Sequence, residues 1–227
     1  MFATAELLGK FHSARKSVRA AVAALRRKNL HQMEAVCDAG IDPALLATGP
    51  KRRQRVFTPK LTFLTFLSQV MTPGASGRAA TRQAQGYYLS QPVPRVIRED
   101  NSPYGQARAR LDLDQLSAIR QEIAHRMHRA LPAGDWTWRR PVKVVDGPCL
   151  SLPDTTANPA AYPQTHSQTP GCGFPKLRLL GLFSLDTGAL LERALGPYTT
   201  SEVPRFRQLW PHLAAGDLVL GDRLFGS

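Results

Sequence analysis

The sequence has few cysteines, no long apolar run and no secretory signal. Its three cysteines, Cys37, Cys149 and Cys172, are odd in number and widely spaced, which argues against a disulfide framework or a Cys-x-x-Cys metal motif. No stretch of about 18 uncharged apolar residues occurs, so no membrane-spanning helix is expected. The first residues lack a basic segment leading into an apolar one, so no signal peptide is predicted. These absences predict a cytoplasmic protein with no membrane partner.

Charge is distributed unevenly along the chain. The 227 residues carry 30 Lys and Arg against 17 Asp and Glu, a formal net charge of +13. Residues 141–227 hold seven basic and seven acidic side chains, so the whole excess lies in residues 1–140. This asymmetry is typical of a polyanion-binding module joined to a neutral domain. A solvated basic surface without a specific partner would show the same charge.

Apolar periodicity predicts helices through much of the first 140 residues. Helices are expected over residues 5–28 and 30–38, followed by an apolar core helix over 61–71 that ends at Pro73-Gly74. Ser102-Pro103 is typical of an N-cap followed by proline at the first helical position. A last helix, with an apolar stripe from Leu113 to Leu131, is predicted to start at Asp112 or Asp114. Residues 1–140 are therefore interpreted as a basic helical domain.

Short β-type runs replace this pattern from about residue 141. Residues 142–146 form a predicted strand, 177–185 and 189–195 a hairpin, 201–213 a helix, and 218–220 a last strand. Residues 150–176, rich in Pro, Thr, Gln and Gly, are predicted to be a long loop. The order of these elements predicts an α/β domain with a mixed sheet over residues 141–227.

Two aspartates occupy equivalent positions in this domain. Asp146 ends the first predicted strand, and Asp222 follows the last one. If the two strands are neighbours, their C-terminal ends bring both carboxylates to one rim of the sheet. Mg²⁺ is commonly held by one or two carboxylates together with a substrate phosphate, and a pair of such ions supports phosphoryl transfer. By position alone, strand-end aspartates are more often turn or cap residues.

The residues around both aspartates resemble the catalytic motifs of DDE transposases of the IS-four type, from bacterial insertion elements. The matching blocks are residues 144–155 and 158–164 for the first aspartate, 173–175 and 181–185 for the next block, and 216–225 for the second aspartate. Residues 57–59, 66–70 and 104–111 resemble the amino-terminal region of the family. The resemblance runs from about residue 55 to the end of the chain, with the blocks in the family's order.

The resemblance implies a ribonuclease-H-like core in which Asp146 and Asp222 are the first two of three catalytic, metal-binding carboxylates. Mg²⁺ or Mn²⁺ is the implied cofactor. The implied reaction is hydrolysis of a phosphodiester at the element end, followed by attack of the freed 3′ hydroxyl on target DNA. The family's third carboxylate is a glutamate within a Tyr, Arg, Glu, Lys signature on a later helix. Neither Glu192 nor Glu202 has that context, so we expect a truncated chain that is inactive on its own.

The resemblance also implies that the basic domain binds the terminal inverted repeats of the element. Lys and Arg contacts to phosphates would supply most of the affinity and make it salt-dependent. Candidate contacts are Lys51, Arg52, Arg53, Arg55, Arg108, Arg110 and Arg223. A solvated loop explains the run at residues 51–55 equally well, and Arg223 could pair with a carboxylate instead of a phosphate.

The implied setting is the nucleoid of a bacterial cytoplasm, with a homodimer in full-length members of the family. The alternative interpretation is a non-catalytic DNA-binding protein that occupies element ends and inhibits transposition.

Overall fold

The computed structural model describes residues 16–17, 19–46, 55–132, 140–165, 169 and 173–226. The chain forms two compact units, Met1–Arg126 and Met127–Ser227, and belongs to the α+β class. The charge and residue patterns predict a domain boundary after residue 140, whereas this division falls within a helix that spans residue 126. Of the helix expected over residues 5–28, positions 16–17 and 19–26 are described and helical. Residues 5–15 and 18 of this expected helix lie outside the described residues.

The described part of the first unit is built from helices. They are α1 (Leu30–Gly40), α2 (Pro59–Met71), α3 (Gly77–Leu89), α4 (Ser102–Ala109) and α5 (Leu113–Ala130), with a 3₁₀ turn at Pro43–Leu46. Asn29 caps α1 in a reciprocal box with Gln32, and the hydroxyls of Thr58 and Ser76 accept backbone N–H groups at the starts of α2 and α3. These caps satisfy N–H groups that a helix start otherwise leaves unpaired.

Helix α3 has no counterpart among the sequence-based expectations. It buries Ala80, Thr81 and Ala84, which are small or polar residues and therefore give a weak apolar signal. The expected helices at residues 30–38 and 61–71 are confirmed, because large apolar side chains such as Met33 and Leu64 form their buried faces.

Two expectations about α4 and α5 need correction. Ser102 is the first residue of α4 rather than its cap, and the Asp100 carboxylate accepts the Ser102 N–H at 2.9 Å. On α5 the predicted apolar stripe is only partly buried: Ile119 is 3% exposed, but Leu113 is 69% exposed. Ile123 and Met127 on the same stripe are also exposed. The first core therefore uses only part of the α5 stripe, at Ile119 and the partly buried Leu116.

A polar cluster joins α1, α2 and α3. Lys60 on α2 contacts Glu34 at 2.8 Å and Asp38 at 2.9 Å on α1. The Tyr87 hydroxyl on α3 donates to Glu34 at 3.0 Å. Burial, with the bond to Glu34 as a second cause, raises the pKa of Tyr87 to about 12. Tyr87 is therefore a neutral hydrogen-bond donor at neutral pH and holds α3 against α1.

The second unit contains the mixed sheet. Its elements are β1 (Val142–Asp146), β2 (Cys149–Ser151), α6 (Asn158–Ala161), β3 (Lys176–Ser184), β4 (Leu190–Pro197), α7 (Glu202–Leu209) and β5 (Leu218–Leu220), with 3₁₀ turns at Trp210–His212 and Arg223–Gly226. The expected loop over 150–176 thus includes part of β2 and a helical turn. The expected helix over 201–213 is shorter, because Pro211 has no N–H to continue the α-helical pattern.

Strands β1 and β2 both pair with the same edge of β3, one after the other and in one continuous register. Asp146 pairs with Gly181 and Cys149 with Arg178, so β2 continues the line of β1. Strand β4 is antiparallel to β3 over almost its whole length, and β5 is parallel to β1. The order across the five-stranded sheet is therefore β4, β3, β1 and β5, with β2 extending β1. Helix α7 packs on this sheet through Leu209, against a core that includes Val145, Leu180 and Leu182.

A largely buried ion pair holds the chain before β5 against β1. The Lys143 Nζ lies 2.5 Å from Asp217 Oδ2, and the two side chains are 13% and 5% exposed. Lys143 also donates to the His212 carbonyl at 2.7 Å, and Asp217 accepts the Ala214 N–H at 2.6 Å. These bonds satisfy both charges where water is largely excluded, which is the condition for a buried pair to be tolerated.

Lys143→Ala should destabilise the second unit strongly, because it leaves the Asp217 carboxylate buried without its cation. We expect a loss of roughly 3–5 kcal/mol in the free energy of unfolding, measured by urea titration followed by circular dichroism. Lys176→Ala, which removes a lysine from β3, is the matched control and should cost far less. Equal losses in the two variants would contradict this role of the pair.

Candidate functional site

The sheet brings Asp146 and Asp222 to the same rim. In the parallel ladder, Val142 pairs with Leu218 and Val144 with Leu220. Past the end of β5 the chain stays beside β1, since a Cβ built on Gly221 would lie 3.7 Å from the Val145 Cβ. Asp146 comes directly after Val145, and Asp222 comes directly after Gly221. Adjacent strands lie about 4.8 Å apart, so the two side chains start from neighbouring backbone positions.

The Asp146 carboxylate points away from the face that α7 covers. Val145 belongs to the core beneath α7, and successive side chains of a strand point to opposite faces. Asp146 therefore points to the other face. The Cβ position of Gly221 lies next to Val145, and Asp222 follows beside Asp146, between β5 and the 3₁₀ turn at Arg223–Gly226. Asp146 and Asp222 are both exposed.

Glycines shape the backbone around Asp146. The Gly147 N–H donates to Asp146 Oδ1 at 2.8 Å. A Cβ on Gly147 would lie 1.8 Å from the Leu179 carbonyl oxygen, so only glycine fits this close approach to β3. Gly181 stands opposite Asp146 and is covered by the Phe183 ring, which a Cβ there would meet at 2.6 Å. No β3 side chain therefore extends from the position paired with Asp146.

The other acidic residues of the sheet serve different contacts. Asp217 pairs with Lys143, and Asp186 accepts the Val142 N–H at 3.4 Å, at the opposite end of β1. Glu202 contacts Arg178 at 2.9 Å, and Glu192 lies 3.9 Å from His212. Within the described ranges there is no group of three or more His, Cys, Asp or Glu side chains that could hold a metal ion. The rim therefore offers two carboxylates, which suit a hard cation that also takes water or phosphate oxygens.

Two of the predicted basic contacts come together in the first unit. Arg55 and Arg110 line the same two adjoining cavities, of about 410 and 250 Å³. Phe57 lines both cavities as well, and Gln106 and Gln115 add amide groups. Arg55 and Arg110 are exposed, so this surface, here called the arginine hollow, offers two arginine side chains in a hollow that Phe57 also lines.

The remaining predicted contacts lie in different surroundings. The Arg108 guanidinium stacks over the Phe66 ring at 5.1 Å and donates to Gln69 at 3.3 Å, so it contributes to packing although it is exposed. Arg223 is exposed directly after Asp222, at the start of a 3₁₀ turn. Lys51, Arg52 and Arg53 lie outside the described residues.

Sequence reasoning missed a second pair of exposed arginines, Arg78 and Arg82 on α3. The available signal was their four-residue spacing after the turn at Pro73-Gly74, together with the absence of any acidic residue between Ser76 and Ser90.

The fold and the rim define an α+β protein with two exposed aspartates, one at the end of β1 and one two residues beyond the parallel strand β5. Comparisons with protein-family models, with curated proteins and with solved structures found no match. None of the helices in the described part of the chain is long and apolar enough to cross a membrane.

Gly147→Ala tests the close approach next to Asp146. The added methyl group would overlap the Leu179 carbonyl, so we expect the free energy of unfolding to fall by about 1–3 kcal/mol. The control is Gly105→Ala on α4, where a Cβ meets no atom within 4 Å; it should stabilise its helix by about 0.5–1 kcal/mol. Urea unfolding of both variants measures the difference, and an unchanged midpoint for Gly147→Ala would count against the contact.

Proposed function

We propose that this chain binds DNA and carries the first two metal-binding carboxylates of a DDE transposase, Asp146 and Asp222, on a ribonuclease-H-like core. The observation that carries the proposal is the parallel pairing of β1 with β5, which brings two sequence-distant aspartates to one exposed rim. The surrounding sheet supports it as well. Three antiparallel strands, a helix and a strand parallel to the first form a mixed sheet with the carboxylates at its C-terminal rim.

The two aspartates fit a magnesium or manganese ion. Both are exposed, and carboxylate oxygens are the donors that these ions prefer. A bound ion would polarise the scissile phosphodiester and stabilise the leaving oxygen. The chain's own contribution is to fix the spacing of the carboxylates through the β1–β5 ladder.

The basic first unit supplies the attraction for DNA in this proposal. The first unit, residues 1–126, holds 20 basic and 9 acidic side chains, so it carries +11 of the chain's net charge of +13. The arginine hollow suits a phosphate group, because one planar guanidinium can donate two parallel hydrogen bonds to two oxygens of the same phosphate. Arg55 and Arg110 are therefore the backbone contacts that we propose, ahead of Arg108, which is held by Phe66 and Gln69.

A non-catalytic DNA-binding protein is the second candidate, and one observation favours it. Among the described residues there is no group of three carboxylates that could hold a metal ion. The reaction of the DDE transposases, which this sequence resembles, needs three. A chain of this kind would bind element ends and compete with an active transposase. Nicking of supercoiled plasmid DNA in Mn²⁺ separates the candidates: nicking that Asp146→Asn abolishes supports the enzyme, and binding without nicking supports the second candidate.

Metal binding at the rim is tested directly by adding Mn²⁺ to the isotope-labelled protein. We expect paramagnetic broadening of amide signals at residues 145–147 and 221–223, because the ion relaxes nearby nuclei. Asp146→Asn and Asp222→Asn should each weaken the broadening. Asp154→Asn is the control, since this exposed aspartate lies beyond β2, away from the rim. Broadening that persists in both rim variants would remove the basis for the metal site.

The arginine hollow is tested by the salt dependence of duplex binding. Each lost phosphate contact lowers the slope of log K against log salt by about 0.9, so Arg55→Ala with Arg110→Ala should lower it by about 1.8. The control double variant, Arg129→Ala with Arg207→Ala, removes the same charge from two exposed positions elsewhere. Fluorescence anisotropy with a labelled duplex measures both. Identical slopes for the two double variants would rule out a special role for the hollow.

A further inference from the structure

We propose that the exposed face of α3 reads base edges in the major groove of duplex DNA. This inference rests on the proposed function, because a transposase has to recognise particular element ends. It assigns that recognition to Arg78 and Arg82. The arginine hollow, by contrast, would contact the phosphate backbone.

The two sides of α3 differ sharply in composition. Ala80, Thr81 and Ala84 are at most 1% exposed and form the packed side. A helix turns by 100° per residue, so the opposite side is centred between Arg82 and Gly86, with Arg78 toward one edge. Ala79, Gln83 and Leu89 are the other exposed residues of this face. The face combines two long cationic side chains with small neighbours that leave room around them.

Hydrogen bonds fix α3 to three other segments. Tyr87 donates to Glu34 on α1 at 3.0 Å, and Gln83 accepts from Ser68 on α2 at 2.7 Å. The Gln85 amide oxygen accepts the Ile97 N–H at 2.7 Å from the chain that follows α3. A helix held in this way loses little conformational freedom on binding, which favours affinity.

The exposed face matches the chemistry of the major groove. That groove is about 12 Å wide and admits an α-helix, and arginine binds the O6 and N7 atoms of guanine in a bidentate manner. The Cβ atoms of Arg78 and Arg82 lie about 5–6 Å apart at their four-residue spacing. Neither arginine has an ion-pair partner within the described part of the chain. The thirteen residues of α3 include no acidic side chain that would repel phosphates.

The connection between α2 and α3 supports the same reading. A short turn at residues 72–76 joins the two helices, and Gly74 adopts a left-handed φ of 70° there. In helix-turn-helix proteins a short turn, often with glycine, precedes the helix that enters the major groove. The loop with Glu99 and Asp100 reaches α3 through Asn101 at Gly77. The Asp100 carboxylate accepts the Ser102 N–H at 2.9 Å, at the start of α4.

Selection from a randomised duplex library, followed by binding measurements, tests the inference. The wild-type protein should enrich a motif that contains guanine. Arg78→Ala and Arg82→Ala should each lose preference at one or two base pairs and bind the enriched duplex roughly 5- to 150-fold more weakly. Binding to a scrambled duplex should change much less. Arg129→Ala with Arg207→Ala should leave the enriched motif unchanged.

A steric variant tests the same face without removing charge. A Cβ at Gly86 meets no atom within 4 Å, so Gly86→Tyr should fold normally, as checked by circular dichroism, and yet block entry into the groove. Gly86→Ala is the matched control and should retain binding to the enriched duplex.

Three results would overturn the inference: no enriched motif, equal losses on enriched and scrambled duplexes for the α3 variants, or full binding by Gly86→Tyr. None of them bears on Asp146 and Asp222, whose Mn²⁺ broadening is measured without DNA. Conversely, loss of base preference in the α3 variants together with no broadening at the rim would leave a sequence-specific DNA-binding surface and remove the transposase proposal.

Discussion

The parallel pairing of β1 with β5 is the constraint on which the candidate site depends. Strand β5 has only three residues, so its ladder offers few backbone hydrogen bonds. The buried bond between Lys143 and Asp217 adds a second attachment at the N-terminal end of the same pair of strands. An error of one residue in this register would turn Asp222 to the opposite face. Because the ion pair fixes the register at one end, the carboxylates meet at the other.

The sheet uses its acidic residues differently at its two ends. Asp217 and Asp186 lie near the start of β1, where a lysine and a backbone N–H satisfy them. Asp146 and Asp222 lie at the far end, where both are exposed. Two like charges about 5 Å apart in water repel by roughly 0.8 kcal/mol, which the fold tolerates easily. A divalent cation between the carboxylates would attract both of them and outweigh this repulsion. Without the cation, the repulsion costs the fold little.

The sequence predicted the second unit better than the first, for physical reasons. Strands such as 142–146 and 218–220 are β-branched or leucine runs bounded by glycine and aspartate, and these local signals need no tertiary information. The sequence alone does not show that β1 and β5 are neighbours, since strand order depends on long-range packing. Helix α3 was not predicted, because its buried residues Ala80 and Ala84 are small and give no strong apolar periodicity. The use of Arg108 in stacking on Phe66 also depends on a contact between residues distant in sequence.

The division of charge between the units has a consequence for the proposed function. The second unit holds 10 basic and 8 acidic side chains, a net charge of only +2, and its two exposed rim aspartates repel phosphate. In the proposed function, affinity for DNA therefore comes mainly from the first unit, which holds 20 basic and 9 acidic side chains, a net charge of +11. Arginine contacts to phosphates are weakened by salt, whereas occupation of the rim by a divalent ion would depend on the concentration of that ion. In this arrangement salt would govern whether DNA is held, and the metal ion would govern whether a phosphodiester can approach Asp146 and Asp222.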